Sequence, residues 1–397
     1  MPTSFAVMNL LSSSGKTTLA VMMLVVASAG ASGFGDGLPG DRLPTLRRLL
    51  KESQRPLRIL ETHSGLTGLI AEHARGQGGE AFDGMWSSSL TASAAKGKPD
   101  IETVDTTARL HLVQETLSVT TKPMIYDADS GGAAEIFKFT VRALEQLGVS
   151  ACIIEDKTGL KQNSLFGTDR KQELEDIDTF CAKIKAGLAA RRTSEFMVIA
   201  RIEALIAGAG MEEALTRAAA YTEAGASGIM IHSKQKTADE ILEFIAKYRE
   251  LDVAGARTLP VVVVPTSYNS ITEAELCDAG VAICIYANQL LRAAYPAMVG
   301  VAESILTHHP MHAHACRCMQ MHADACPCMY MCPPHRLASP SRSSHISARG
   351  KPTLSCSLSR RSSSSSTKIL RVRQWRTARW QRGHSLHMPT PSHQPAA

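Results

Sequence analysis

Acidic residues nearly vanish from the last part of the chain. From His308 to the end there are 13 Lys or Arg and a single acid, Asp324. The 307 residues before it hold 30 bases and 36 acids, so the net charge of +6 belongs to the tail. The pI of 8.8 is therefore no sign of nucleic-acid binding by the part that folds. Cysteine is equally uneven. Six of ten lie in the tail, and Cys152, Cys181, Cys277 and Cys284 are far apart in apolar or helical contexts. That spacing excludes a disulfide framework and predicts reduced thiols. No apolar run is long enough to span a bilayer; Leu19–Ala27 is too short. No Gly-x-Gly-x-x-Gly follows the first strand-like run, which argues against a dinucleotide-binding open sheet.

Three segments can be marked. Residues 1–45 are an extension, in which Lys16, the apolar run and Ser28-Ala29-Gly30-Ala31 are arranged as in a signal peptide. A transit peptide and a wrongly chosen start are the other readings: no acid precedes Asp36, yet the first 41 residues contain no Arg. Cytoplasmic or mitochondrial placement is expected ahead of secretion. Ser14-Gly15-Lys16-Thr17-Thr18 imitates a phosphate loop, but it lacks the first glycine and a preceding strand, and is rejected. Residues 307–397 form a tail predicted to be disordered. It opens with a tandem repeat beginning at Met311 and Met321 and continues into a Ser/Arg stretch. Its Cys316/Cys318 and Cys326/Cys328 are Cys-x-Cys pairs, not the spacing of a structural zinc site.

Residues 46–306 carry the organised pattern. Eight strand-like runs are predicted: Arg58–His63, Gly84–Leu90, Pro123–Asp129, Ala151–Asp156, Phe196–Ile202, Gly228–His232, Pro260–Pro265 and Val281–Tyr286. Several are almost continuously apolar, as parallel strands covered on both faces are. Helical patterns alternate with them: Ala133–Leu147, with Ile136, Phe139, Val141, Leu144 and Leu147 on its buried stripe, Met211–Ala224 and Thr237–Tyr248. Eight such units over this length predict an α/β fold of the (β/α)8 barrel type.

Polar residues gather at the ends of the predicted strands, where barrel loops build chemistry. Asp127 and Asp129 are two apart, hence expected on one side of a strand, with Glu155 on the next strand. Three converging carboxylates call for a hard cation, Mg2+ or else Mn2+. The plain alternative has Asp129 capping a helix and Glu155 paired with Lys157. Arg201 and His232, ending strands 5 and 6, suit the oxyanions of a small substrate with two anionic groups. The loop Thr158–Arg170, with Gly159 and Gly167 as hinges around Lys161, Asn163 and Ser164, has a lid's composition.

These stretches resemble the phosphoenolpyruvate mutase branch of the isocitrate lyase superfamily. The resemblance runs from about Leu46 to Ser304 and rests on Trp86-Ser-Ser-Ser-Leu-Thr, Lys96-Gly-Lys-Pro-Asp100, Tyr126-Asp-Ala-Asp-Ser-Gly-Gly, Glu155-Asp-Lys-Thr-Gly-Leu-Lys-Gln-Asn-Ser-Leu, Ile199-Ala-Arg-Ile-Glu-Ala-Leu-Ile-Ala-Gly and Gly228-Ile-Met-Ile-His-Ser-Lys. It implies that Asp127 binds Mg2+ directly, with Asp129 and Glu155 acting through water. It places the substrate carboxylate on Ser88, Ser89 and Leu90, walled by Trp86, and the phosphoryl or phosphonyl group on Arg201 and His232. Asp100 would stand near the reacting centre, with Lys161, Asn163 and Ser164 in the gating loop. The implied reaction interconverts phosphoenolpyruvate and phosphonopyruvate, as a step of phosphonate biosynthesis. Asn163 favours a mutase over a phosphonopyruvate hydrolase. A lyase of the isocitrate type is disfavoured because Lys157-Thr-Gly-Leu-Lys161 contains no Cys. The family also implies a homo-oligomer, put in question by the tail that replaces its last helical region. An inactive barrel from a damaged gene is the remaining reading.

Overall fold

A computed structural model describes residues 39–159, 161 and 172–308. Eight strands alternate with helices: β1 (Leu57–Thr62), β2 (Gly84–Ser87), β3 (Met124–Asp127), β4 (Ala151–Glu155), β5 (Met197–Ile202), β6 (Ile229–Ile231), β7 (Val261–Val263) and β8 (Val281–Tyr286). All neighbours are parallel, and β8 pairs back onto β1, so the sheet closes as a (β/α)8 barrel. Six strands are shorter than the sequence pattern suggests, β1 is the same length but begins one residue earlier, and β8 matches. The difference lies mostly at C-terminal ends, where polar residues leave the ladder to form the mouth.

Alternation along the strands divides the apolar side chains into two sets. Ile59, Ile125, Ile153, Ile199, Val262 and Ile285 fill the barrel interior, where Leu46, fully buried, joins them from the helix Thr45–Glu52. The opposite faces of the strands pack under the surrounding helices, with Tyr126, Ile154, Val198, Ile229 and Val263 against Phe137, Phe180, Tyr221 and Phe244. Packing on the barrel begins ahead of the boundary drawn at residue 46. The guanidinium of Arg42, buried, donates to the carbonyls of Leu117 and Thr120. The last helix, Gln289–His308, runs through Pro296 and past residue 306.

The helix Ala134–Gln146 corrects one expectation. Val141 and Leu144 are buried as predicted, but Ile136 is 62% and Phe139 66% exposed. Phe137 takes the buried position, its ring against Gly187 of the helix Ile177–Ala190. Apolar residues follow two phases along this helix, and the missing side chain at Gly187 selects the one containing Phe137.

Candidate active site

The mouth of the barrel holds a cavity lined by Trp86, Ser88, Ser89, Leu90, Asp100, Asp127, Glu155, Lys161, Arg201 and His232. Ten of the thirteen residues singled out from sequence therefore share one cavity. Asp129 stands just behind, bonded to Lys161. Asn163 and Ser164 lie outside the described residues. The stems of their loop are described: Lys157 bridges Leu174, and Thr158 N–H donates to the Glu173 carbonyl.

Asp127 is the last residue of β3, where the inward direction of the strand delivers its carboxylate to the mouth. Its Oδ2 accepts from Ser89 N–H at 3.1 Å and Ser89 Oγ at 3.0 Å. Burial works against its charge, but Lys161, Arg109 and Arg201 hold its pKa below the usual carboxylate value. Asp129 is not on the strand, which corrects the argument that placed both acids on one face. It sits at φ +53° in a left-handed turn. That turn, with no helix to cap, brings it to the mouth: Oδ2 accepts from Arg109 and Oδ1 from Lys161.

Glu155 ends β4 directly opposite Arg201 on β5. It lies 3.4 Å from both Lys157 and Arg201, so the ion pair weighed as its plain alternative is present. Burial nevertheless dominates and lifts its pKa to about 7, with Arg201 and Lys157 opposing. Glu155 Oε1 is buried without a hydrogen-bond donor. The Lys161 ammonium lies among Ser89, Asp100 and Asp129. Burial disfavours its charge, yet Asp129, Asp127, Glu155 and Asp100 together push its pKa up. Among the described residues no three acids, histidines or cysteines are gathered closely enough to enclose an ion. The expected carboxylate triad is thus arranged around an ammonium.

Ser88 lines the cavity and has a structural role as well. It caps the helix Ser89–Ala95, its hydroxyl accepting from Thr91 N–H. With Ser89 committed to Asp127, these two hydroxyls first serve the protein itself.

Beyond Arg201, His232 Nδ1 stands 2.9 Å from Arg201 Nη2 and 3.1 Å from Glu203 Oε1. Burial, then Arg201, depresses its pKa, so the imidazole is neutral near pH 7. Nδ1 thus faces both a donor, Arg201, and an ionised acceptor, Glu203, and the ring's tautomer follows the contact it takes. Glu203 is fully buried; burial opposes its charge, but Arg201 and Lys157 keep its pKa well below the carboxylate range. Asp156 accepts from Glu203 N–H at 2.8 Å and from Tyr221 Oη and Arg217, fastening this wall to the helix Met211–Glu223.

Two groups escaped sequence reasoning. Arg109, on the helix Thr106–Leu117, is 3% exposed and reaches the ends of β2 and β3. Glu61, fully buried at the end of β1, accepts from Leu291 N–H and contacts His63. Glu61 carried the same strand-end signal as the other acids. Arg109 carried none, since a helix arginine reads as solvent-facing. Asn288, two residues after β8, lines the cavity with its Oδ1 buried and lacking a hydrogen-bond donor. Among the described residues no helix is long and apolar enough to cross a membrane.

The chain is similar to proteins of known activity. A family model described as phosphoenolpyruvate phosphomutase matches residues 46–306. A phosphonopyruvate hydrolase of Variovorax sp. is 40% identical over 253 residues, 63% of this chain and 82% of the relative. A phosphoenolpyruvate phosphomutase of Tetrahymena pyriformis is 38% identical over 248 residues, 62% of this chain and 78% of the relative. Among solved structures, a phosphoenolpyruvate phosphomutase from Streptomyces platensis subsp. rosaceus superposes with a TM-score of 0.61 at 39% identity, covering 66% of this chain and 86% of that one. A phosphonopyruvate hydrolase in complex with oxalate and Mg++ gives 0.58 at 38% identity, covering 67% and 88%. The eight-stranded closed barrel, its strand-end acids and this match over residues 46–306 together show that the chain belongs to the phosphoenolpyruvate phosphomutase family.

Proposed function

We propose that the barrel is a Mg2+-dependent isomerase that interconverts phosphoenolpyruvate and phosphonopyruvate. The carrying observation is one cavity that gathers the acids Asp100, Asp127 and Glu155 with the cations Lys161 and Arg201 and with His232. A three-carbon substrate with an anionic group at each end suits that mixture of carboxylates and cations. The donors at Asp127, Asp129 and Glu155 are all oxygen, and Glu155 Oε1, met by the Lys157 ammonium at 3.4 Å but by no hydrogen bond, suits a hard divalent cation, Mg2+ or Mn2+. When bound, the cation supplies Lewis-acid stabilisation of the substrate's carboxylate and developing enolate oxygen.

The remaining work falls to the chain's own groups. Arg201 forks onto the phosphoryl oxygens, and the neutral His232 beside it adds a polar contact without adding charge. Leu90 and the backbone after β2 face the carboxylate end, with Trp86 as the apolar wall. In the forward direction the bond between phosphorus and O2 breaks and its electron pair stays on the pyruvate enolate. C3 of that enolate then attacks phosphorus, forming the C–P bond and restoring the ketone. No proton is lost or gained, so the site must orient and exclude water more than it must transfer protons.

A hydrolase would break the same C–P bond with water, and the 40% identity to such an enzyme keeps that reading in play. Asn163 in the loop favours the mutase. Phosphorus NMR of the full chain with phosphonopyruvate and Mg2+ separates the two. A phosphoenolpyruvate signal is expected; release of inorganic phosphate and pyruvate in its place would make the protein a hydrolase, and no turnover would reject both.

A further inference from the structure

Arg109 is not among the residues lining the cavity, yet it contacts the ends of β2 and β3 and the turn that carries Asp129. Nη1 donates to the Asp127 carbonyl and, at 2.9 Å, to Asp129 Oδ2. Nη2 donates to the Ser87 carbonyl at 3.1 Å. The guanidinium carbon stands 4.2 Å from the ring centroid of Tyr126, the residue just before Asp127. Two of the three acceptors are carbonyls of the last residues of β2 and β3. One planar fork therefore ties together two neighbouring strand ends and the turn beyond them. Nε, buried, has no hydrogen-bond partner, so the group is aimed at the strand ends at the expense of its third edge.

The consequences reach the carboxylates. With its carbonyl tied down, Asp127 keeps the orientation in which Ser89 N–H and Oγ meet Oδ2 and Asp129 N–H reaches Oδ1 at 3.3 Å. Asp129 sits in a left-handed conformation that residues with a side chain rarely adopt and that the surrounding contacts maintain. Arg109 occupies its Oδ2, which leaves Oδ1 as the oxygen turned toward Lys161.

We propose that Arg109 is a positioning residue for divalent-cation binding: it locks the β3 end and makes Asp129 present a single oxygen to the mouth. This rests on the metal-dependent reading above. A lysine keeps the charge but cannot span three acceptors in one plane. Groups that orient metal-binding residues from behind typically contribute ten- to a hundredfold to affinity.

The test is Mn2+ binding to the full chain, followed by the loss of the free-ion paramagnetic resonance signal, for the unaltered protein and for Arg109→Lys. Circular dichroism monitors folding in parallel. The expected result is a folded variant whose Mn2+ affinity falls by about tenfold or more. With Mn2+ saturating, KM for phosphonopyruvate should stay within about twofold, because the Arg201 wall is untouched. Equal affinities in two folded proteins would overturn the proposal and leave the mutase reading standing. Absence of Mn2+ binding by the unaltered chain would instead remove the metal-dependent reading on which it rests. If Arg109→Lys folds only when Mn2+ is added, titration by circular dichroism reads the weakened affinity and supports the role. If it stays unfolded at saturating Mn2+, Arg109 is a folding determinant and the proposal fails.

Discussion

His232 and Arg201 illustrate how a side chain's environment sets its chemistry. A buried imidazole beside a guanidinium is held neutral, with its pKa below the ordinary histidine value. The unfolded chain therefore takes up a proton at a higher pH than the folded one. Stability from this residue is complete above about 6.5 and is lost as pH falls through that value toward the lower folded pKa. Urea denaturation at pH 7.5 and 5.5 should show a smaller acid-dependent loss for His232→Gln than for the unaltered protein; identical slopes would reject the neutral imidazole. Arg201→Lys should lower kcat/KM by about a hundredfold or more, since one ammonium cannot replace a fork on a phosphoryl group. Steady-state kinetics with phosphonopyruvate checks this, and a loss under about threefold would leave the phosphoryl wall without its proposed anchor.

The packing of the helix Ala134–Gln146 on the helix Ile177–Ala190 shows the same logic for elements. Phe137 is fully buried, and a methyl group added at Gly187 would collide with its ring. Gly187→Ala should destabilise the fold by about 1–3 kcal/mol even though alanine is the better helix former. Thermal denaturation measures this, and an unchanged or raised midpoint would mean that the ring has room to move aside. Periodicity alone could not choose between the Ile136/Phe139 and Phe137/Val141 phases, because both satisfy helical spacing. The choice depends on a glycine some fifty residues away. The strand-end acids were more legible: apolar runs broken by Asp127 and Glu155 mark where a barrel strand stops and a loop starts. Asp129 was found for the wrong reason, as its left-handed backbone removes it from the strand's alternation.

For the whole molecule, every strand of the closed sheet lies between Leu57 and Tyr286. A chain ending at His308 should therefore fold, bind Mn2+ and turn over phosphonopyruvate within about twofold of the full chain; loss of cooperative unfolding would assign residues 309–397 a part in the fold. Tyr295, Met298, Ile305 and Leu306 leave apolar surface exposed along the last helix. The sequence by itself determined the architecture and most of the cavity, because parallel-strand hydrophobicity and strand-end polarity are local signals repeated eight times. Only the tertiary structure decided that the acids surround the Lys161 ammonium, that Ser88 serves as a cap, and that Arg109 reaches two strand ends from behind. Those facts depend on which distant side chains share a low-dielectric space, and spacing along a chain carries no record of that.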